Sequence, residues 1–278
     1  MVSTATIITV IITLFICLIL PIIVYLIYGV KNPGKGVWTA WLLGAAGFFV
    51  FQMIIRTPII SLLSIVPGFM DFVTNYYILY CLILAFTAAL FEVAGRYLVA
   101  KILSKKLDFT RSFAAGLGHG SIEAIFIVGI TYVNNLIYIV MINTGMFDGI
   151  VEQTAAMGMD VSQLNVIKDS LINTPAATFL LAGYERILTV ILHIALSMVV
   201  CYFVSRKKDF VGIGICVLCH WAVDFIAPTV NGMATAYLGN VISIATSYVI
   251  VYVFLTFVAI ASVLTIRQLQ KKWLQMEA

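Results

Sequence analysis

The sequence predicts an all-α protein: a polytopic transmembrane helix bundle of about seven (seven to eight) spans. Three observations carry that prediction. Of the 278 residues, 63% are hydrophobic and only 10% are charged, and the mean hydropathy is +1.11, the composition of an integral membrane protein. Uncharged apolar runs of about 20 residues, long enough to cross a bilayer, recur along the chain. Between them stand turn-forming or basic stretches such as Lys31-Asn32-Pro33-Gly34-Lys35-Gly36. A chain of this length holds the spans and little else, so residues 1–278 read as a single integral membrane domain. The net charge of +4 is small and scattered, which argues against a nucleic-acid partner and for the lipid bilayer as the main surrounding. Cys17, Cys81, Cys201, Cys216 and Cys219 all fall in apolar runs and read as small buried residues, not as a disulfide framework.

Each element follows from the same pattern. Thr4 to Val30 is uncharged, with no basic residue before it and no small-residue cleavage site, so it reads as a first membrane helix and not a signal peptide. Val37 to Ile55 makes the second span, closed by Arg56. Thr57 to Asp71 is interrupted by Pro58, Pro67 and Gly68 and reads as an interfacial or re-entrant segment. Tyr77 to Leu103 is the third span and Ser112 to about Val133 the fourth. Residues 143–175 form a loop in which Val161, Leu164, Ile167, Leu171 and Ile172 recur at near-helical spacing, predicting an amphipathic helix on the membrane surface. Ala176 to Val204, Phe210 to about Ile226, and Gly239 to Ile266 complete the count.

Basic residues near span ends mark cytoplasmic loops. Lys31 and Lys35, then Lys101, Lys105, Lys106 and Arg111, then Arg206, Lys207 and Lys208, then Arg267, Lys271 and Lys272 all fall on one side. The other side holds Arg56, Lys168 and the acids Asp71, Asp148, Glu152, Asp160 and Asp169. The expected topology therefore has the N-terminus outside, the C-terminus in the cytoplasm and the 143–175 loop extracytoplasmic, for a multi-pass protein of the cell membrane.

Against this frame, six ionisable residues stand out inside spans. Counting at about 1.5 Å per residue, Glu92, His119, Glu123, His193, His220 and Asp224 all lie roughly 12 to 22 Å from the cytoplasmic boundary. Four helices thus place titratable side chains in one layer. Glu92 with Arg96, His119 with Glu123, and His220 with Asp224 are four apart and share helix faces. A charge at the centre of a lone span costs about 2.5–3.5 kcal/mol on the lenient insertion scale, so these groups must face one another, water or a metal.

Glu, His and Asp are the residues that ligate zinc, and a catalytic zinc takes about three protein ligands, an open position and a neighbouring carboxylate base. No HExxH is present. Proton relays and transporter sites draw on the same residue types. A proton- or solute-coupled transporter is therefore one rival, although the chain shows no inverted repeat; a non-catalytic membrane scaffold is the other.

The order of Glu92-Val93-Ala94-Gly95-Arg96, Gly120-Ser121-Ile122-Glu123-Ala124, Arg186 to His193 on one face, and His220-Trp221-Ala222-Val223-Asp224-Phe225 resembles the YhfC family over nearly the whole chain. That family is grouped with PrsW-like and CAAX-prenyl proteases as intramembrane metalloproteases. The resemblance implies that Glu92 and Arg96 stand for the glutamate and arginine of the first motif. It places Glu123 where PrsW-like proteins keep a glutamate and prenyl proteases a histidine. His193 and His220 match the paired late-helix histidines, and Asp224 the Asp or Asn one turn on. There is one departure: the usual first motif has two adjacent glutamates, and the first, taken as catalytic, is here Phe91. The base then falls to Glu92 or Glu123, or the chain is a non-proteolytic relative.

These expectations combine into a zinc-dependent intramembrane protease acting on a membrane-associated or lipid-modified peptide. His193, His220 and either Glu123 or His119 hold Zn²⁺, and Glu92 is the preferred base. Asp224 orients His220 or the substrate, and Arg96 fixes Glu92 or helps stabilise the oxyanion.

Overall fold

The computed structural model describes residues 1–277, and among them every regular element is helical. Seven helices are long and apolar enough to cross a membrane: Thr4–Lys31, Val37–Leu63, Tyr77–Lys106, Phe109–Thr144, Ala176–Ser205, Asp209–Met233 and Ile244–Met276. The protein is a multi-pass, all-α membrane protein. We number these helices as spans one to seven.

Local chemistry sets the breaks. Ser3 caps span one by accepting from the Thr6 N–H through its hydroxyl at 3.1 Å. Span two starts after Gly36, whose φ of +70° few other residues tolerate. Several boundaries differ from expectation: span six runs to Met233 and not Ile226, span seven covers Ile244–Met276 and not Gly239–Ile266, and spans two and four run on through wide turns. Span two does not stop at Ile55; it runs on to Leu63. The reason is a stretch of wide, π-type turns over Phe49–Arg56. Pro58 follows in the first turn of the next α-helical segment, Thr57–Leu63, where its missing N–H is tolerated. Arg56 is therefore an interior residue of a membrane helix. Span four continues through similar wide turns over Ala124–Gly129, directly after Glu123, and reaches Thr144.

The chain divides into two compact units. One combines Met1–Val24 with Ala124–Ile187. Its core gathers Val2, Val10, Tyr132, Ile139, Ile142, Phe147, Leu171 and Phe179. The short helices Met146–Ala156 and Ser162–Asn173 belong to it, and Leu164, Ile167, Leu171 and Ile172 from the second of these pack into that core.

The other unit comprises Tyr25–Glu123 and the chain from Leu188 onward. Within it, Val37–Phe48 of span two packs along Phe109–Glu123 of span four, and span three packs along span six. The first of these contacts is unusually close. A Cβ built on Gly118 would lie 2.0 Å from the Trp41 carbonyl oxygen, and one on Gly44 would lie 1.9 Å from that of Ala115. Only a residue without a side chain allows the two backbones to touch in this way. Span five is the most buried helix, with 61% of its apolar window covered against 17–39% in the others. Its Leu192 and Leu196 join Val93 of span three and Cys216 of span six in one cluster. Its Ile194 and Met198 join Trp41 and Leu117 in another. These clusters bring the polar stretches of spans three, four, five and six to the same level.

Candidate metal centre

All seven residues that the sequence singles out lie in the second unit, and the fold brings them together. Glu92 and Arg96 come from span three, His119 and Glu123 from span four, His193 from span five, and His220 and Asp224 from span six. Glu92, Arg96, His119, His193 and His220 are each 4% exposed or less, and Glu123 is 8% exposed. Asp224 is the most open, its side chain 32% accessible.

Helical spacing explains the local pairs. Four residues apart, Arg96 donates from Nη2 to Glu92 Oε2 at 3.2 Å, and His220 Nε2 stands 3.2 Å from Asp224 Oδ2. His119 and Glu123 are also four apart, but each reaches a different helix instead. His119 Nε2 lies 3.0 Å from Glu92 Oε2, and Glu123 Oε2 lies 2.6 Å from His193 Nε2. Gly120, on the same helix, faces Val190 and the His193 Cβ. That close approach sets the Glu123–His193 contact.

Glu92 Oε2 is the hub. Besides Arg96 and His119, it has His220 Nε2 at 3.6 Å and His193 Nδ1 at 3.9 Å. The three imidazoles pack on one another, His119 stacked on His193 at 5.1 Å and His193 edge-on to His220 at 5.5 Å. Phe48 closes the far side of His119 with an edge-on contact at 5.1 Å. Arg96 sits on the Nδ1 side of two of these rings, with Nη2 at 2.5 Å from His193 Nδ1 and Nη1 at 3.3 Å from His220 Nδ1.

One ligand atom each from Glu92, His119, Glu123 and His193 lie within 4.8 Å of one another. A four-coordinate zinc with bonds of about 2.0–2.2 Å sets its ligand atoms about 3.4 Å apart, so small side-chain rotations suffice. Two nitrogens and two carboxylate oxygens are a suitable donor set for that ion. Charge points the same way. With the imidazoles neutral, the two buried carboxylates outweigh Arg96, and buried charge of this kind is paired or holds metal. The residues therefore fit a divalent ion. His220 stands outside the four-donor group, one carboxylate away.

Arg56 is the charged residue that sequence reasoning left out of the interior. It is 8% exposed and donates to the Leu84 carbonyl at 2.7 Å and to Thr87 Oγ1 at 3.3 Å. Its side chain thus finds backbone and hydroxyl partners, with no carboxylate within salt-bridge distance among the described residues. Pro58 masked it, because a proline two residues on suggests a helix end. Cys219, expected to be buried because it falls in an apolar run, is instead exposed and lies outside the cluster. Glu185 and Arg186 pair with each other in the first unit.

The family model for the YhfC intramembrane metalloprotease matches residues 16–255. The chain belongs to that family. It is also 33% identical over 172 residues to a Bacillus subtilis (strain 168) protein described as uncharacterized membrane protein YhfC, a match covering 60% of this chain and 63% of that protein. The matched part thus spans less than two thirds of that relative's length. No solved structure matches the chain.

Proposed function

We propose that this family member is a zinc-dependent intramembrane protease of the cell membrane, with its N-terminus outside and its C-terminus cytoplasmic. It hydrolyses a peptide bond in a membrane-associated or lipid-modified substrate. The observation that carries the reading is the convergence of Glu92, His119, Glu123 and His193 in a buried cluster within 4.8 Å. The orientation rests on the basic residues that gather at one set of span ends.

In this reading His119, Glu123 and His193 hold the ion, and the fourth donor, Glu92, is left as the base. Bound there, zinc would make a water nucleophile available near neutral pH and polarise the scissile carbonyl. Glu92 Oε2 takes the proton of the attacking water and delivers it to the departing amine. Its position is held by Arg96 at 3.2 Å and His119 at 3.0 Å. His220 carries its one N–H on Nε2, 3.2 Å from Asp224 and 3.6 Å from Glu92, and turns it from Asp224 to the developing oxyanion. Asp224 orients that ring and, being partly accessible, faces the side from which a peptide can arrive. Phe91 in place of a glutamate does not remove the base, because Glu92 already occupies the centre of the site.

Elemental analysis of protein purified in detergent tests this directly. About one zinc per chain is expected, lost in a His119→Ala/His193→Ala variant and retained in His220→Ala, which loses turnover instead. Protein that carries no divalent metal under any loading condition overturns the reading and favours a transporter or scaffold.

A further inference from the structure

We infer that Arg96 and a divalent ion compete for His193, so that the ion enters only as the guanidinium gives up its contact with that ring. This inference rests on the metal-dependent reading above and adds a role for Arg96 beyond holding Glu92.

Donor accounting carries it. A guanidinium has N–H donors and no acceptor. The nitrogen that it contacts at 2.5 Å, His193 Nδ1, must therefore accept. A neutral imidazole that accepts at Nδ1 carries its proton on Nε2, and His193 Nε2 indeed faces an acceptor, Glu123 Oε2, at 2.6 Å. In this arrangement His193 has no lone pair free for a metal. Ligation through Nε2 moves the ring's single proton to Nδ1, where it would point at an N–H of Arg96. Ligation through Nδ1 puts the ion where Nη2 now lies. Either nitrogen thus excludes the present Arg96–His193 hydrogen bond. Metal-bound histidines ordinarily turn their second nitrogen toward an acceptor, not a cation.

Arg96 is also held with one donor unused. Its Nη atoms bind the two histidines and Glu92. Among the described residues its Nε has no hydrogen-bond partner, and the side chain borders a small cavity lined also by Gly44, Ala115 and Ser197, which leaves slack for a shift of the guanidinium. The Ser197 hydroxyl likewise has no partner. His220 keeps its Nε2 proton through the Arg96 contact at Nδ1, which suits a ring that donates and does not ligate.

The test is zinc and cobalt affinity, by chelator competition, of full-length protein in detergent, for wild type, Arg96→Met and Arg96→Lys. It is paired with ¹⁵N spectra of the histidine rings before and after zinc. The expected result is affinity raised at least about tenfold in Arg96→Met, the equivalent of one charge-assisted hydrogen bond. Arg96→Lys should show a smaller rise; because it keeps the positive charge, any rise there reports lost contact and not lost repulsion. In chelator-treated wild type, the His193 and His220 rings should both carry the proton on Nε2, and zinc should either move the His193 proton to Nδ1 or ligate Nδ1 itself, shifting both nitrogens of that ring. Unchanged or weakened affinity in both variants, or a His193 ring whose two ¹⁵N shifts are the same with and without zinc, overturns the inference while leaving the metal-dependent reading intact. Binding of zinc to none of the three proteins sinks both.

Discussion

The two compact units bury polar groups in opposite ways. In the unit made from Met1–Val24 and Ala124–Ile187, the Thr13 and Tyr132 hydroxyls both donate to the Phe179 carbonyl, each at 2.8 Å. The buried charge there, Arg186, pairs with its chain neighbour Glu185. Each of these contacts serves a backbone carbonyl or an adjacent side chain. In the unit that holds the site, Glu92, Arg96, His119, Glu123, His193 and His220 are buried and meet mainly each other, across four helices. Polar groups that serve structure find nearby backbone partners, whereas these are gathered at a cost of order 2.5–3.5 kcal/mol per charge in a membrane centre. Such a gathering persists when the groups have chemistry to perform.

Glu92→Gln gives the hardest blow to that contrast. It preserves size and removes the carboxylate at the hub, and turnover of a fluorogenic membrane peptide in proteoliposomes should fall about 10²- to 10⁴-fold. A rate within a factor of two of wild type would mean that the cluster is structural after all. Gly118→Leu comes next. Its side chain has no room against the Trp41 carbonyl, already 2.0 Å from a Cβ. Overpacking of this kind costs about 1–3 kcal/mol or more, so the thermal midpoint in detergent should drop by several degrees and metal binding should weaken with it. A midpoint equal to that of wild type would show that spans two and four are not in contact at Gly118. The smallest effect belongs to the first unit. Tyr132→Phe should lower stability by about 1 kcal/mol, and adding Thr13→Val should cost more than the sum of the singles, since the Phe179 carbonyl then loses both donors. Turnover should stay at the wild-type rate in both, measured in the same proteoliposomes. A loss there comparable to that of Glu92→Gln would erase the distinction between the units.

Much of the architecture was legible before any coordinates. Seven spans follow from apolar length alone, and the turn before span two follows from Asn32-Pro33-Gly34 and Gly36. The late ends of spans two and four share one cause. At Arg56 and Pro58 the chain carries a charge and a helix breaker, both usual end signals. The wide turns over Phe49–Arg56 absorb the proline, and the Leu84 carbonyl and Thr87 receive the charge. The wide turns carry no residue-type signature, and the partners of Arg56 are 31 and 28 residues away. The same kind of wide turn carries span four past Gly129 to Thr144, well beyond the Val133 expected from apolar length.

The candidate site divides in a similar way. That Glu92, Arg96, His119, Glu123, His193, His220 and Asp224 occupy one layer is a consequence of residue count and the fixed rise of a helix. Which of them meet is not, since that depends on helix rotation and on distances between helices. Spacing along the chain pairs His119 with Glu123, yet these two turn to Glu92 and His193 on other helices. Spacing also groups Glu92 with Arg96 and says nothing of Arg96 reaching the Nδ1 atoms of both His193 and His220.

The sequence by itself determined a polytopic helix bundle, the level at which its ionisable side chains lie and the family to which the motifs point, because hydropathy and helical rise act along the chain. Only the tertiary structure decided that Glu92 joins the convergent donors while His220 stands one carboxylate away, and that Arg56 is an interior charge. Those outcomes rest on contacts between helices far apart in sequence, such as the meeting of Gly118 with Trp41 and of Gly120 with span five.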